Sequence, residues 1–312
     1  MAEYAALSHG IYCIDALYIK PQVASIYLLR EGDEVAIIET GTCHSLPNLL
    51  ACLDELGIDK SQVRYVIPTH VHLDHAGGAG AMIRQFEQAS LIVHPRGARH
   101  MIDPQKLIAG TIGVYGQDKY ERLYGNIEPV PEARVTIAED LERFSLNSRD
   151  LVFIDTPGHA RHHFCIFDQA SNGMFTGDTF GISYAPMKRL ARGLIPTTPP
   201  TQFDPPALHD SVSRIMSMQP QRLYLTHYGE FANPAAQLAS FDRWIDEYVE
   251  VCGRAQPGDE PAQRELENAL AKITLDGLAD SDEPGELARI LRMDIRLNAQ
   301  GLAHWWRSSG HG

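Results

Sequence analysis

No uninterrupted apolar stretch in this chain approaches the roughly eighteen residues needed to span a bilayer, so a membrane is not expected among its partners. The opening residues Met1-Ala2-Glu3-Tyr4-Ala5-Ala6-Leu7 lack the basic start and apolar run of a secretory signal. Cysteine is scarce: Cys13, Cys43, Cys52, Cys165 and Cys252 are scattered, odd in number and without a Cys-x-x-Cys pair. They read as reduced packing thiols, which points to the cytoplasm. Positive charge is also short, with 27 Lys and Arg against 40 Asp and Glu and a formal net charge of −13. That balance weighs against nucleic acid as a partner and leaves a small-molecule substrate as the expectation. There is no Gly-x-Ser-x-Gly elbow, no Gly-x-Gly-x-x-Gly and no P-loop, so the serine-hydrolase and nucleotide-binding solutions fall away. Apolar residues are present in ordinary measure, 44% of 312 residues, enough for a large core plus an appendage.

Histidine is concentrated. Thr69-His70-Val71-His72-Leu73-Asp74-His75-Ala76-Gly77-Gly78 places three imidazoles and a carboxylate within six residues, directly after the β-branched run Tyr65-Val66-Ile67-Pro68. A strand ending in a tight loop splays such a cluster so that His70 and His72 share one ion while Asp74 and His75 face another. Imidazole and carboxylate donors suit zinc, and also iron or manganese. Three further residues repeat the placement at the carboxyl end of a short apolar strand. His159 follows Leu151-Val152-Phe153-Ile154, Asp178 follows Met174-Phe175-Thr176-Gly177, and His227 follows Leu223-Tyr224-Leu225-Thr226. Strand ends on one edge of a layered sheet are where ligands distant in sequence converge.

On these residues the chain resembles the metallo-β-lactamase superfamily, over roughly residues 10 to 232, with the family's His-x-His-x-Asp-His motif at 70 to 75. The resemblance implies an α+β fold, the four-layer αβ/βα sandwich, and two divalent metal ions. It assigns His70, His72 and His159 to the first ion, Asp74, His75 and His227 to the second, and Asp178 to both. The catalytic carboxylates would be Asp74 and Asp178, and the nucleophile a metal-bound hydroxide. Glu39 stands where many relatives carry aspartate and is expected to brace the metal loop. His163 matches a common Pro-Gly-His-x-x-x-His pattern and is expected to support the ligands without being one.

Apolar spacing outlines the rest. Strands are expected at 11–14, 25–29, 35–38 and 91–94, and helices at 46–56, over much of 96–125 and at 206–218. The domain reading is a catalytic domain over 1–234 and an α-helical extension over 235–312. Extensions of this kind occur in the glyoxalase II and quinolone-signalling thioesterase-like branches. The extension either caps the core, forms a contact in a homodimer, or shapes a substrate pocket. Pocket candidates are Ile108, Tyr115, Phe180, Tyr184 and Tyr228. The segment after Asp178, Thr179-Phe180-Gly181-Ile182-Ser183-Tyr184, is largely apolar and suits a hydrophobic acyl or aromatic group better than glutathione. The favoured reaction is hydrolysis of a thioester, lactone or other carboxylic ester. The alternatives are a phosphodiesterase and a mononuclear-iron persulfide dioxygenase-like enzyme.

Overall fold

The computed structural model describes residues 2–190, 193–199, 201–278 and 284–310. The chain folds as two compact units: Met1–Asp155 with His162–Gly177 and Pro220–Phe231, and Thr156–Arg161 with Asp178–Gln219 and Ala232–Gly312.

The first unit is built on two sheets. One holds β1 (Tyr4–Ala6), β2 (Ile11–Asp15), β3 (Ser25–Glu31), β4 (Glu34–Ile38), β5 (Val63–Ile67), β6 (Ser90–Val93) and β7 (Val135–Ile137), in that spatial order. Pairing is antiparallel as far as β4 and parallel from β4 to β7. The other holds β8 (Arg143–Leu146), β9 (Arg149–Asp155), β10 (Phe164–Asp168), β11 (Gly173–Ile182), β12 (Arg222–His227) and β13 (Gly229–Ala232). Between the sheets lies one apolar core. Ile11, Tyr27, Leu29, Ile38, Ile67 and Ile92 from the first sheet meet Leu151, Phe153, Phe164, Ile166, Phe175 and Tyr224 from the second. Tyr27 packs edge-on to Phe175 at 5.2 Å, and its buried hydroxyl donates to Leu225 O at 2.6 Å, so the polar end of this large side chain is satisfied.

The helices of the first unit are α1 (Leu46–Glu55), α2 (Leu73–Ala76), α3 (Ala79–Gln85), α4 (Ala98–Ile102), α5 (Gln105–Tyr115) and α6 (Gln117–Tyr124). α1 ends as its sequence foretells, at Gly57 with φ of 63°. α1 packs against β2 and α3 against β5 and β6, in a sheet whose β4 is buried from Val35 to Ile38.

The second unit is mainly helical: α7 (Ala185–Leu190), α8 (Pro205–Ser217), α9 (Leu238–Ala255), α10 (Glu260–Gly277) and α11 (Pro284–Ser308). α8 and α10 each begin with an aspartate cap and a proline in the first turn. Asp204 accepts from Ala207 N–H and Asp259 from Ala262 N–H. Phe241, Trp244, Tyr248, Leu266, Leu270 and Leu291 fill its core. The expected helical extension is therefore present. Among the described residues no helix is long and apolar enough to cross a membrane.

Candidate metal centre

The parallel pairing of β4 with β5 sets up the site. Ile38 lies opposite Ile67, and Glu39 N–H continues the ladder to Ile67 O at 2.9 Å. Glu39 and the loop Pro68-Thr69-His70 therefore leave the sheet side by side. The chain then does not run as the open loop its sequence suggests. Residues Leu73–Ala76 wind into α2, with His72 just before its first turn, so that Asp74 and His75 project from one short turn of helix.

Within the first unit, Asp74, His75 and His227 are brought together with one donor atom from each inside 4.8 Å of the others. Asp74 Oδ2 lies 3.8 Å from His75 Nε2 and 3.6 Å from His227 Nε2. Ligands about 2.1 Å from a tetrahedral zinc stand about 3.4 Å apart, so these separations match the edges around one ion. The far side of each ring is already committed. His227 Nδ1 donates to Val23 O at 2.8 Å, and His75 Nδ1 faces Glu39 Oε1 at 3.1 Å. Each imidazole is thereby fixed in the tautomer that carries its lone pair on Nε2, the atom turned toward Asp74. The donor set and its orientation fit a divalent cation.

His70 is held the same way. Thr69 Oγ1 gives its own proton to Glu39 Oε1 at 2.5 Å and so accepts from His70 Nδ1–H at 3.1 Å. His70 Nε2 then points at His72 Nδ1, 2.8 Å away. Glu39 is the common brace. Its carboxylate also takes Thr69 N–H at 3.2 Å and the Thr226 hydroxyl at 2.8 Å, all out of contact with solvent.

His163 is fully buried, with its ring centre 4.9 Å from that of His70. It fits there because residue 177 is glycine: a Cβ at Gly177 would run into His163 Nε2 and Thr69 Oγ1. His162 is buried too. Its Nδ1 accepts from Val71 N–H at 3.4 Å, and its ring lies edge-on to His72 at 5.6 Å. Tyr228, part-buried, packs against the inter-sheet core, and burial raises its phenol well above the usual tyrosine range. Ile108 and Tyr115 both lie on α5.

Within the second unit, His159 and Asp178 form a matching arrangement. His159 Nε2 is 3.3 Å from Asp178 Oδ2, while His159 Nδ1 donates to Thr197 Oγ1 at 2.9 Å. The ring again offers Nε2 to a carboxylate. Phe180 is wholly buried with its ring stacked on Phe241 at 5.3 Å, so its apolar surface is taken up by the unit's own core. Tyr184 is also largely buried and gives its hydroxyl to Asp294 at 2.8 Å.

Sequence reasoning missed Thr69, Thr226 and Thr197. The first two carry a signal: each is a polar residue immediately before a candidate ligand histidine at a strand end. Thr197 lies far from any motif.

Two sheets around one core, with imidazoles and carboxylates gathered at their strand ends, define a class of metal-binding hydrolase. The chain belongs to the metallo-β-lactamase superfamily, whose family model matches residues 19–227. A metallo-beta-lactamase fold-containing protein, ST1585, from Sulfurisphaera tokodaii is 27% identical over 225 residues, covering 70% of this chain and 78% of that protein. The acyl-coenzyme A thioesterase MBLAC2 of Bos taurus is 25% identical over 193 residues, 56% of this chain and 65% of that enzyme. The crystal structure of the metallo-beta-lactamase family protein TTHA1429 from Thermus thermophilus has the same fold. Its TM-score is 0.68 at 19% identity, over 98% of this chain and 95% of that one.

Proposed function

We propose that the protein is a dinuclear metal-dependent thioesterase, hydrolysing the thioester of an apolar acyl group. The observation that carries the reading is the Asp74, His75 and His227 cluster, whose donors are spaced for one ion and whose tautomers are set from behind. The family pattern assigns His70, His72 and His159 to the other ion and Asp178 to both. Zinc is the favoured metal for this nitrogen-rich set. Bound there, two divalent ions would supply the charge that acidifies an attacking water and polarises a carbonyl oxygen.

The chain's own groups do the remainder. Asp74 and Asp178 orient the attacking water and take up its proton on a carboxylate oxygen. Glu39, Thr69 and Val23 O hold three of the rings in one orientation, so no reorganisation is needed when charge develops on the substrate. Thioesters are preferred over other carboxylic esters because a relative covering much of the chain is named an acyl-coenzyme A thioesterase. The apolar acyl group is preferred because the segment after Asp178, Thr179-Phe180-Gly181-Ile182-Ser183-Tyr184, carries no charge. The test compares a thioester, its oxygen ester and a phosphodiester on zinc-loaded protein. Fastest turnover is expected on the thioester, and turnover confined to the phosphodiester would overturn the reading.

A further inference from the structure

Outside the ligand motifs, one loop of the second unit bears on both of that unit's candidate ligands. Ile195 pairs with Ile182, its N–H 3.1 Å from Ile182 O and its O 2.9 Å from Ile182 N, so the loop runs beside the end of β11. Two residues on, the Thr197 hydroxyl meets both ligands. It lies 3.5 Å from Asp178 O and 2.9 Å from His159 Nδ1. A carbonyl oxygen can only accept, so the hydroxyl donates to Asp178 O and takes the His159 Nδ1–H. The ring is left with its lone pair on Nε2, the atom 3.3 Å from Asp178 Oδ2.

Thr197 is itself held from α11. Asn298, buried on that helix, donates from Nδ2 to Pro196 O at 2.9 Å and accepts Thr198 N–H on Oδ1 at 2.8 Å. The Thr198 hydroxyl adds a bond to Asn298 O at 2.9 Å. One side-chain amide thus pairs with the peptide groups on either side of Thr197, as a neighbouring strand would. Its orientation is dictated by those partners, since a carbonyl needs a donor and an N–H an acceptor. Gly301 lies one turn further along the same face of α11, and a Cβ there would run into Thr198 O. At that point the loop rests directly on the helix backbone.

Burial leaves these contacts little slack. Thr198 is wholly buried and Asn298 nearly so, and breaking either bond strands a polar group that water does not reach. A loop held by apolar contact alone could slide without that cost. Asn298 belongs to the C-terminal extension, and this loop links it to a candidate metal ligand in the same unit.

Resting on the metal-site reading above, we propose that Asn298 is a positioning residue for His159. It holds the loop 196–198 so that the Thr197 hydroxyl keeps the imidazole in the tautomer and orientation that present Nε2. The C-terminal helix then sets the affinity for the ion that His159 holds, a role distinct from capping the core or lining a pocket. Partners that orient a ligand from behind in this way are worth about 10- to 100-fold in metal affinity.

The test measures zinc affinity of the full chain by competition with a chromogenic chelator, with thermal unfolding on the same samples. Thr197→Val is expected to weaken the site that His159→Ala abolishes by about 10- to 100-fold, and Thr197→Ser to retain it. Asn298→Ala should weaken the same site, and Asn298→Ser, which leaves a smaller cavity, replaces it if the alanine variant does not fold. Because Asn298 acts through Thr197, the double variant Thr197→Val/Asn298→Ala should bind zinc no more weakly than Thr197→Val alone. Arg307→Gln removes a different bond of α11, the one to Pro257 O, and should leave zinc affinity unchanged. Nitrogen NMR of metal-free, histidine-labelled protein in alkaline buffer reads the ring itself. His159, assigned by its absence in His159→Ala, should be the Nδ1–H tautomer in the parent and a mixture in Thr197→Val and Asn298→Ala.

Additive losses in the double variant, zinc affinity unmoved by the Asn298 changes, or an unaltered His159 tautomer overturns the proposal. Coupled losses of zinc affinity in a protein without thioester hydrolysis would refute the reaction and keep the positioning role. Thioester hydrolysis with zinc affinity independent of Asn298 would do the reverse.

Discussion

Glu39 Oε1 lies 3.1 Å from His75 Nδ1, and two threonine hydroxyls close on the same oxygen, Thr69 from the end of β5 and Thr226 from β12. One buried carboxylate thus ties the ligand loop to both sheets. Its backbone takes φ of 67°, a conformation that non-glycine residues seldom adopt, at the point where β4 ends. That strain is offset by four hydrogen bonds to the side chain.

Replacing Glu39 by glutamine keeps the size and removes the charge. The amide then presents N–H groups where His75 Nδ1–H and two hydroxyls donate. Metal affinity should fall about 10- to 100-fold with the fold retained, as read by competition with a chromogenic chelator alongside thermal unfolding. Unchanged metal affinity would show that Glu39 is only a packing residue.

His159 and His163 separate a ligand from its support. His159→Ala should remove about one equivalent of metal per chain, and His163→Ala should remove less, by emission spectrometry after dialysis. Equal losses would place His163 among the ligands.

Arg149 pairs with Asp168 at the far end of β9, donating from Nε at 2.8 Å and from a second nitrogen at 2.5 Å, with both side chains buried. Removing one partner strands the other's charge. Arg149→Met should destabilise by about 3–5 kcal/mol in urea unfolding and leave metal content unchanged. The double change Arg149→Met/Asp168→Leu should recover part of that loss. A single variant as stable as the parent would contradict the pairing's structural role.

The cysteines carry a fourth expectation. Cys43 is half-buried and the other four are buried. Burial pushes the Cys52 and Cys252 thiols up to about 12, so near pH 8 almost none of either is thiolate. Alkylation of the native protein should modify Cys43 first, and the rest only after denaturation. Fast labelling of Cys52 would refute its packed placement.

His70, His159, Asp178 and His227 stand out in the sequence because each is a polar residue just past an apolar run, and His72, Asp74 and His75 because they crowd the loop after His70. Long helices such as α9 and α10 were legible from 3.6-residue spacing. Helix α2 was not, because four residues are too few for a periodic signal. The sequence reading placed Phe180 near a pocket on its apolarity alone, but apolarity does not say which neighbour covers a ring, and here Phe241 does. Gly177 is a bare glycine in sequence; only the closeness of His163 and Thr69 explains why no side chain fits there.

Two bound ions are proposed to make this chain a thioesterase. The most direct test is a zinc titration of the chelator-stripped protein, following hydrolysis of an apolar acyl thioester and bound metal in the same samples. No turnover is expected in the stripped protein, and activity should be restored as occupancy approaches two ions per chain. Full thioester turnover in the stripped protein, or activity complete at one ion, would contradict it.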